Sequence, residues 1–149
     1  MAKHDVIHQD GQQYCSDFLA AYRATNSNSE ALNREVLERY VAEGVNVGNF
    51  ELARSLVAPD FVSHNPLGEQ KRDEMIGALT AMREAFSGFN MSVSQATFEG
   101  DRVANIKTIT GVFDKPMPSP NGPIPPTGQP VKIEMVCITR LQDGLLVED

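Results

Sequence analysis

The chain has 149 residues, a length that fits one domain with its own hydrophobic core. Its formal net charge is −7 at pH 7 and its Lys and Arg residues form no cluster, which argues against nucleic acid as a partner. No stretch approaches the roughly 18 consecutive apolar residues of a membrane span, and residues 1–10 lack a secretory signal. We therefore expect a cytoplasmic protein that binds neither nucleic acid nor membrane.

Apolar residues recur at helical spacing in the first part of the chain. Tyr14, Phe18 and Tyr22 form one apolar stripe, which predicts an amphipathic helix in an N-terminal extension over residues 1–30. Further apolar stripes follow, separated by segments rich in Asn and Ser or in Gly. Pro59 ends the short helix that is predicted over residues 50–57. The predicted helical segments are 11–25, 32–45, 50–57 and 71–86.

Beyond residue 88 the apolar period changes from about 3.6 to 2, which is typical of strands. Gly100 and the pair Asp143-Gly144 predict tight turns between neighbouring strands. The proline-rich segment 115–128 lacks amide donors, so we expect a stiff loop at the sheet rim that serves either as a lid or as a plain connection. The predicted extended segments are 60–64, 89–98, 102–113, 131–141 and 145–147.

Helices followed by a meander of strands predict an α+β fold for residues 31–149. We expect a cone-shaped α+β barrel in which three N-terminal helices pack on a curved, mostly antiparallel sheet. The space between the helices and the sheet is the natural place for an apolar ligand cavity. The sequence thus predicts a domain that encloses a small molecule.

Several short motifs in this order resemble the SnoaL-like polyketide (ester) cyclase family of the nuclear transport factor two-like superfamily. The resemblance runs from about Leu32 to Asp149 and leaves residues 1–30 outside. The motifs are the run PDFVSHNP at 59–66, the helix 75–86 with a terminal aromatic, the strand 103–113, the P-T-G loop at 126–128 and Arg140 followed by Asp143-Gly144.

The resemblance implies an aldol-type ring closure on a polyketide ester, without metal or cofactor. It also implies a homodimer formed through the open sheet face. In the cyclases that this chain resembles, a carboxylate on the last strand and a histidine on the preceding strand do the acid/base chemistry. Here Cys137 occupies the histidine position, and the carboxylate position falls about two residues beyond Asp149, so the last strand looks incomplete.

Two residues are candidates for catalysis. His64 follows the short helix and is able to shuttle a proton near pH 7, although it is equally able to pack against the turn before Pro66. Asp149 shares a strand face with Leu145 and Val147, where apolar neighbours would suit a carboxylate for base catalysis, unless it is solvated. We expect catalysis, if present, to rest on His64 and Asp149.

The substrate-binding candidates are apolar or aromatic residues on the predicted cavity wall, and ordinary core packing is the competing interpretation for most of them. Cys137 has no partner at metal-ligand or redox-motif spacing, so we expect it to line the pocket and expect no metal site. The candidates are Tyr40, Phe61, Met82, Phe86, Phe113, Met135 and Cys137.

Two functions remain open at this stage. The first is a cofactor-free cyclase or isomerase that acts on an apolar, carbonyl-bearing metabolite. The second is a non-catalytic domain of the same fold that binds a small molecule or assembles as a dimer, with the helix over 11–25 lying across the partner. Fold alone does not choose between the two functions.

Overall fold

The computed structural model describes residues 29–66 and 68–149. Its helices are α1 over 29–39 with a π-helical continuation over Tyr40–Asn46, α2 over Phe50–Ser55, and α3 over Arg72–Ala85. The helices predicted over 32–45, 50–57 and 71–86 are confirmed, whereas the one predicted over 11–25 lies outside the described residues. In the described part of the chain, no helix combines the length and the apolar character required to cross a membrane.

Six strands form one sheet in the described residues. They are β1 Val57–Asn65, β2 Gly68–Lys71, β3 Phe86–Glu99, β4 Arg102–Phe113, β5 Gln129–Gln142 and β6 Leu145–Glu148. Their order across the sheet is β2-β1-β6-β5-β4-β3, and β1 runs parallel to β6 while the other neighbours are antiparallel. The expected α+β fold with a mostly antiparallel sheet is therefore observed.

The two predicted tight turns connect the long strands. Asp143 and Gly144 both have positive φ angles, 51° and 76°, as a two-residue hairpin loop between β5 and β6 requires. Gly100, with φ 58°, lies in the loop between β3 and β4, where Glu99 pairs with Arg102. These loops place β3 beside β4 and β5 beside β6.

The hydrophobic core lies between the helices and one face of the sheet. The predicted stripe of α1 supplies Val36, Leu37, Tyr40, Val41 and Val45, which are 6% exposed or less. Fully burying side chains of this size contributes roughly 1.5–3 kcal/mol each, which fixes the helix on the sheet. Leu32, also predicted in this stripe, is instead 46% exposed.

Strand β1 is longer than predicted. It begins at Val57 and includes Pro59, although the sequence predicts extended backbone only over 60–64. The pairing of β1 with β6 shifts register between Val57 and Val62, so Pro59 lies in an irregular stretch where no regular ladder bond is needed from it. The strand therefore tolerates a residue without an amide donor.

Strand β3 changes its inward-facing positions halfway along. Gln95 has a φ of 53°, and the pairing with β4 shifts register between Ser94 and Thr97. One extra residue reverses the faces, so that Val93 on one side of the irregularity and Ala96 on the other both pack against the core. The two-residue period predicted for the extended segment 89–98 is therefore interrupted at this point.

The proline-rich segment predicted over 115–128 is an exposed connection between β4 and β5. Met117 and Ile124 exchange two backbone hydrogen bonds of 3.0 and 2.8 Å, which closes a small turn within it. Its residues do not appear in the wall of the cavity described below. The structure thus favours the plain connection over the lid.

Candidate functional site

A cavity of about 330 Å³ lies between α3 and the sheet. Its wall is built from every layer of the fold, with contributions from α1, β1, the residues around β2, α3, β3, β4, β5 and the residue after β6. The lining residues are Tyr40, Ser63, Asn65, Pro66, Gln70, Met75, Ala78, Leu79, Met82, Met91, Lys107, Ile109, Met135, Cys137 and Asp149.

Thioether side chains dominate the apolar part of this wall. Met75 and Met82 come from α3, Met91 from β3 and Met135 from β5. Methionine is unbranched and polarisable, so such a wall adapts to flat or irregular apolar ligands. The structure places four of the substrate-binding candidates at the cavity, namely Tyr40, Met82, Met135 and Cys137.

The backbone of Asp149 continues the parallel pairing of β6 with β1. Its amide donates to Val62 O at 3.2 Å, and its carbonyl oxygen accepts from the His64 amide at 2.8 Å. These bonds fix the direction in which the side chain leaves the sheet. The Asp149 carboxylate faces the cavity, and its side chain is 19% exposed.

A buried chain of hydrogen bonds holds this carboxylate. Lys107 Nζ donates to Asp149 Oδ2 at 2.6 Å, and the Thr139 hydroxyl donates to Asp149 Oδ1. Asn105 Nδ2 donates in turn to Thr139 Oγ1 at 3.1 Å. Both carboxylate oxygens of Asp149 are therefore held by side chains on β4 and β5.

Sequence reasoning missed Lys107, Asn105 and Thr139. All three lie on inward-facing positions of long strands and are 4% exposed or less. A signal was present, because Asn105 and Lys107 share the buried face of β4 with Val103 and Ile109 at two-residue spacing. Buried polar residues of this kind usually have partners, and here Lys107 and Thr139 bond to Asp149 while Asn105 bonds to Thr139.

Tyr40 enters the cavity from the first position of the π-helical segment. Its side chain is almost fully buried, and its hydroxyl donates to Met75 Sδ at 3.2 Å. Burial raises the pKa of Tyr40 well above its ordinary value, and the nearby negative charge of Asp149 adds to the rise. The phenol therefore stays protonated, and its hydroxyl donates its hydrogen bond to a thioether, which is a weak acceptor.

Cys137 lies in the cavity wall next to the Lys107 and Asp149 pair. Burial raises the pKa of its thiol, while the positive charge of Lys107 opposes the rise and the negative charge of Asp149 adds to it. A thiol in this state is a poor nucleophile. Its placement agrees with the expectation that it lines the pocket.

His64 does not reach the cavity. Strand alternation turns its neighbours Ser63 and Asn65 toward the cavity and His64 toward the other face, where its side chain is 53% exposed. There its Nδ1 lies 3.4 Å from Glu69 Oε1 and its Nε2 lies 3.2 Å from Glu148 Oε1. The structure thus separates the two catalytic candidates, His64 and Asp149.

Three aromatic candidates for substrate binding lie in the core, outside the cavity wall. Phe61 is fully buried, and Phe86 and Phe113 stack edge to face with their ring centroids 5.5 Å apart. Phe86 and Phe113 are also paired across β3 and β4, at the end of the sheet where α3 runs into β3. Core packing, the competing interpretation, accounts for their positions.

Comparison with protein families matches residues 37–149 to the SnoaL-like domain. The match covers most of the chain, which therefore belongs to the SnoaL-like family. Comparison with curated proteins gives no significant match.

Solved structures with the same fold agree with this assignment. A proposed SnoaL-like polyketide cyclase from Jannaschia sp. CCS1 is 28% identical, with a TM-score of 0.66 over 80% of this chain and 83% of that chain. IdmH, a proposed polyketide cyclase from Streptomyces antibioticus, is 25% identical, with a TM-score of 0.60 over 78% and 87%. An NTF2-like protein of unknown function from Cytophaga hutchinsonii is 16% identical, with a TM-score of 0.53 over 77% and 83%, and shares the fold.

Proposed function

We propose that this protein is a cyclase or isomerase that transfers protons on an apolar, carbonyl-bearing small molecule, such as a polyketide ester, without a cofactor. The observation that carries the proposal is a carboxylate, Asp149, held by Lys107 and Thr139 in a mostly apolar cavity wall. The family membership and the two related proteins described as proposed polyketide cyclases support the same kind of chemistry.

In the proposed reaction, Asp149 takes the proton from the carbon next to a ligand carbonyl. Tyr40 leaves Met75 and donates a hydrogen bond to the carbonyl oxygen, where negative charge develops. The enolate carbon attacks a second carbonyl of the same molecule, a carbon–carbon bond forms, and Asp149 returns the proton to the new alkoxide. The apolar wall excludes water, which strengthens both polar contacts.

The proposal extends to the shape and assembly of the protein. We infer a cone-shaped barrel covered by three N-terminal helices, a homodimer formed through the outer sheet face, and a cytoplasmic location. The dimer is supported by Val136 and Ile138 on β5, which are 84% and 62% exposed and pair with Ile106 and Ala104 on β4. Apolar side chains clustered in this way on an open sheet mark a contact surface.

The test is deuterium exchange next to the carbonyl of an aryl ketone such as acetophenone, followed by NMR in heavy water. We expect the wild-type protein to accelerate exchange and Asp149→Asn to reduce the rate by about 10²- to 10⁴-fold, the usual contribution of a general base. Glu148→Gln is the matched control, because Glu148 lies beside Asp149 in the chain but pairs with Arg140 and His64 outside the cavity wall. Exchange that is no faster than in buffer, or that survives in Asp149→Asn, refutes the proposal.

A second function is favoured by the state of Asp149 itself. Both of its oxygens already accept hydrogen bonds, from Lys107 and from Thr139, so the carboxylate has protein partners on both sides. The competing proposal is a binding protein that encloses the ligand without reacting. Saturable binding of acetophenone, measured by calorimetry, together with exchange at the buffer rate would favour binding alone.

A further inference from the structure

Lys107 is a buried amine in the wall of an apolar cavity. Its side chain is 6% exposed, whereas that of Lys132 on β5 is 63% exposed. Removing an ammonium group from water is costly, so a lysine in such a place needs a partner or a task. Lys107 has a partner in Asp149, and it also faces the ligand space.

The contacts of Lys107 place an amine beside a carboxylate that is able to exchange protons with it during a reaction. Its Nζ lies 2.6 Å from Asp149 Oδ2, the Asp149 carboxylate is held by the Thr139 hydroxyl, and Asn105 holds Thr139. Lysines that form imines with carbonyl compounds in enzymes are withdrawn from water in an apolar pocket, and the Lys107 side chain is 6% exposed. Here the nucleophile is an amine, which reacts with carbonyl carbons.

The other nucleophilic groups of the wall are held in their protonated forms. Burial raises the pKa of the Cys137 thiol, and burial together with the charge of Asp149 raises the pKa of the Tyr40 phenol. Only Lys107 among these three side chains has a carboxylate at hydrogen-bond distance to take its proton. The amine is therefore the group best placed to attack a bound ligand.

We propose that Lys107 captures an apolar ketone or aldehyde as an imine, a step that builds on the carbonyl-bearing ligand of the proposed function. Asp149 takes a proton from Nζ, and the nitrogen lone pair forms a bond to the carbonyl carbon. The carbonyl oxygen takes up two protons, one returned by Asp149 and one lost directly from the nitrogen, and leaves as water, which gives the protonated imine.

The imine then reacts further to close the ring. Asp149 removes the proton next to the imine carbon, and the resulting enamine attacks the second carbonyl carbon of the ligand. Asp149 then gives its proton to the alkoxide that forms. Water adds to the imine and releases the product, which returns the amine to Lys107. No oxidant, reductant or further reactant is needed, and the thioether wall limits water during the imine stage.

The experiment traps the imine by reduction. The full-length protein is incubated with acetophenone and sodium cyanoborohydride, and the modified residue is located by peptide mass spectrometry. We expect one added group at Lys107, formed at least about tenfold faster than at exposed Lys132 because the bound ketone is held beside the amine.

Lys107→Arg provides the decisive comparison, since arginine keeps the positive charge beside Asp149 and forms no imine under these conditions. If the imine route operates, this variant loses ketone deuterium exchange while its melting temperature stays near that of the wild type. Exchange that persists in Lys107→Arg, with no label at Lys107 in the wild type, overturns the imine inference and leaves the proposed function intact. Absence of both label and exchange in the wild type overturns both.

Discussion

Lys107 Nζ lies 2.6 Å from Asp149 Oδ2 and thereby joins the middle of β4 to the residue that follows β6. The lysine side chain is 6% exposed and the aspartate side chain 19% exposed, so the pair is largely withdrawn from water. A pair of this kind adds little to stability as a whole, because desolvation offsets the attraction. Removal of one partner destabilises the fold, because it leaves a single uncompensated charge in the cavity wall.

We expect Lys107→Met to destabilise the fold by about 3 kcal/mol, near the lower end for a broken buried pair because part of Asp149 reaches solvent. The double variant Lys107→Met with Asp149→Asn should recover most of this loss. Urea unfolding of the wild type, both single variants and the double variant measures the coupling. If the effects of the two substitutions simply add, the two groups do not interact as the structure indicates.

Tyr40→Phe separates the ligand contact from the stability of the fold. The hydroxyl donates to a thioether, a weak acceptor, so its removal should change the free energy of unfolding by less than about 1 kcal/mol. Loss of a hydrogen bond to the developing oxyanion should lower ketone exchange by about 10²-fold or more. Met75→Leu is the control, because it removes the thioether acceptor and keeps the phenol. Equal exchange rates in Tyr40→Phe and the wild type would exclude Tyr40 from the reaction.

His64→Ala should leave ketone exchange within about twofold of the wild type, as is usual for surface substitutions away from a site. The imidazole lies outside the cavity wall, and its contacts with Glu69 and Glu148 are partly exposed. Asp149→Asn, assayed in parallel, gives the decrease in exchange rate that is expected when a side chain of the cavity wall is removed. A large loss of exchange in His64→Ala would mean that the ligand reaches the outer face of β1.

The face on which His64 lies was available from the sequence. Phe61, Ser63 and Asn65 alternate along β1, and the one bulky aromatic among them indicates that this set faces inward. His64 belongs to the other set. The two-residue period of the strand therefore predicts that His64 faces away from the cavity, whatever chemistry a histidine side chain allows.

Periodicity predicted most of the helices and strands because each has one buried face. Periodicity did not predict which polar side chains meet at the site. Lys107, Thr139 and Asp149 lie on different strands or at a strand end and come together only through the register of the sheet. The irregularity at Gln95 was also out of reach, because a glutamine with positive φ carries no sequence signal of the kind that glycine gives.

The pH dependence of Cys137 alkylation tests the environment of the cavity. Burial raises the pKa of this thiol, so the thiolate appears only at higher pH than for an ordinary cysteine, whose pKa is about 8.5. We expect iodoacetamide to modify Cys137 slowly at neutral pH, with a rate that rises at higher pH than that of free cysteine. Mass spectrometry of the peptide containing Cys137 distinguishes it from Cys15. A rate profile centred below that of free cysteine would show that Lys107 dominates the thiol's surroundings.

Gly44 lies in the π-helical segment that begins with Tyr40, at the place where α1 and α2 touch. A Cβ atom built on Gly44 would lie 2.9 Å from Ala53 Cβ and 3.1 Å from Ala53 Cα. Both atoms are fixed to the backbone of α2 and cannot change rotamer to make room, so α2 would have to shift. Gly77 in the middle of α3 is the opposite case, because a Cβ there meets nothing within 4 Å.

We expect Gly44→Ala to destabilise the fold by about 1–3 kcal/mol through overpacking, and to lower ketone exchange because the displaced helix carries Tyr40. Gly77→Ala should stabilise the fold by up to about 1 kcal/mol, since alanine favours a helix interior over glycine. Urea unfolding measures both, and the pair separates the steric effect from the general preference for alanine. If Gly44→Ala is as stable as Gly77→Ala, the close approach of α1 and α2 does not hold the tyrosine in place.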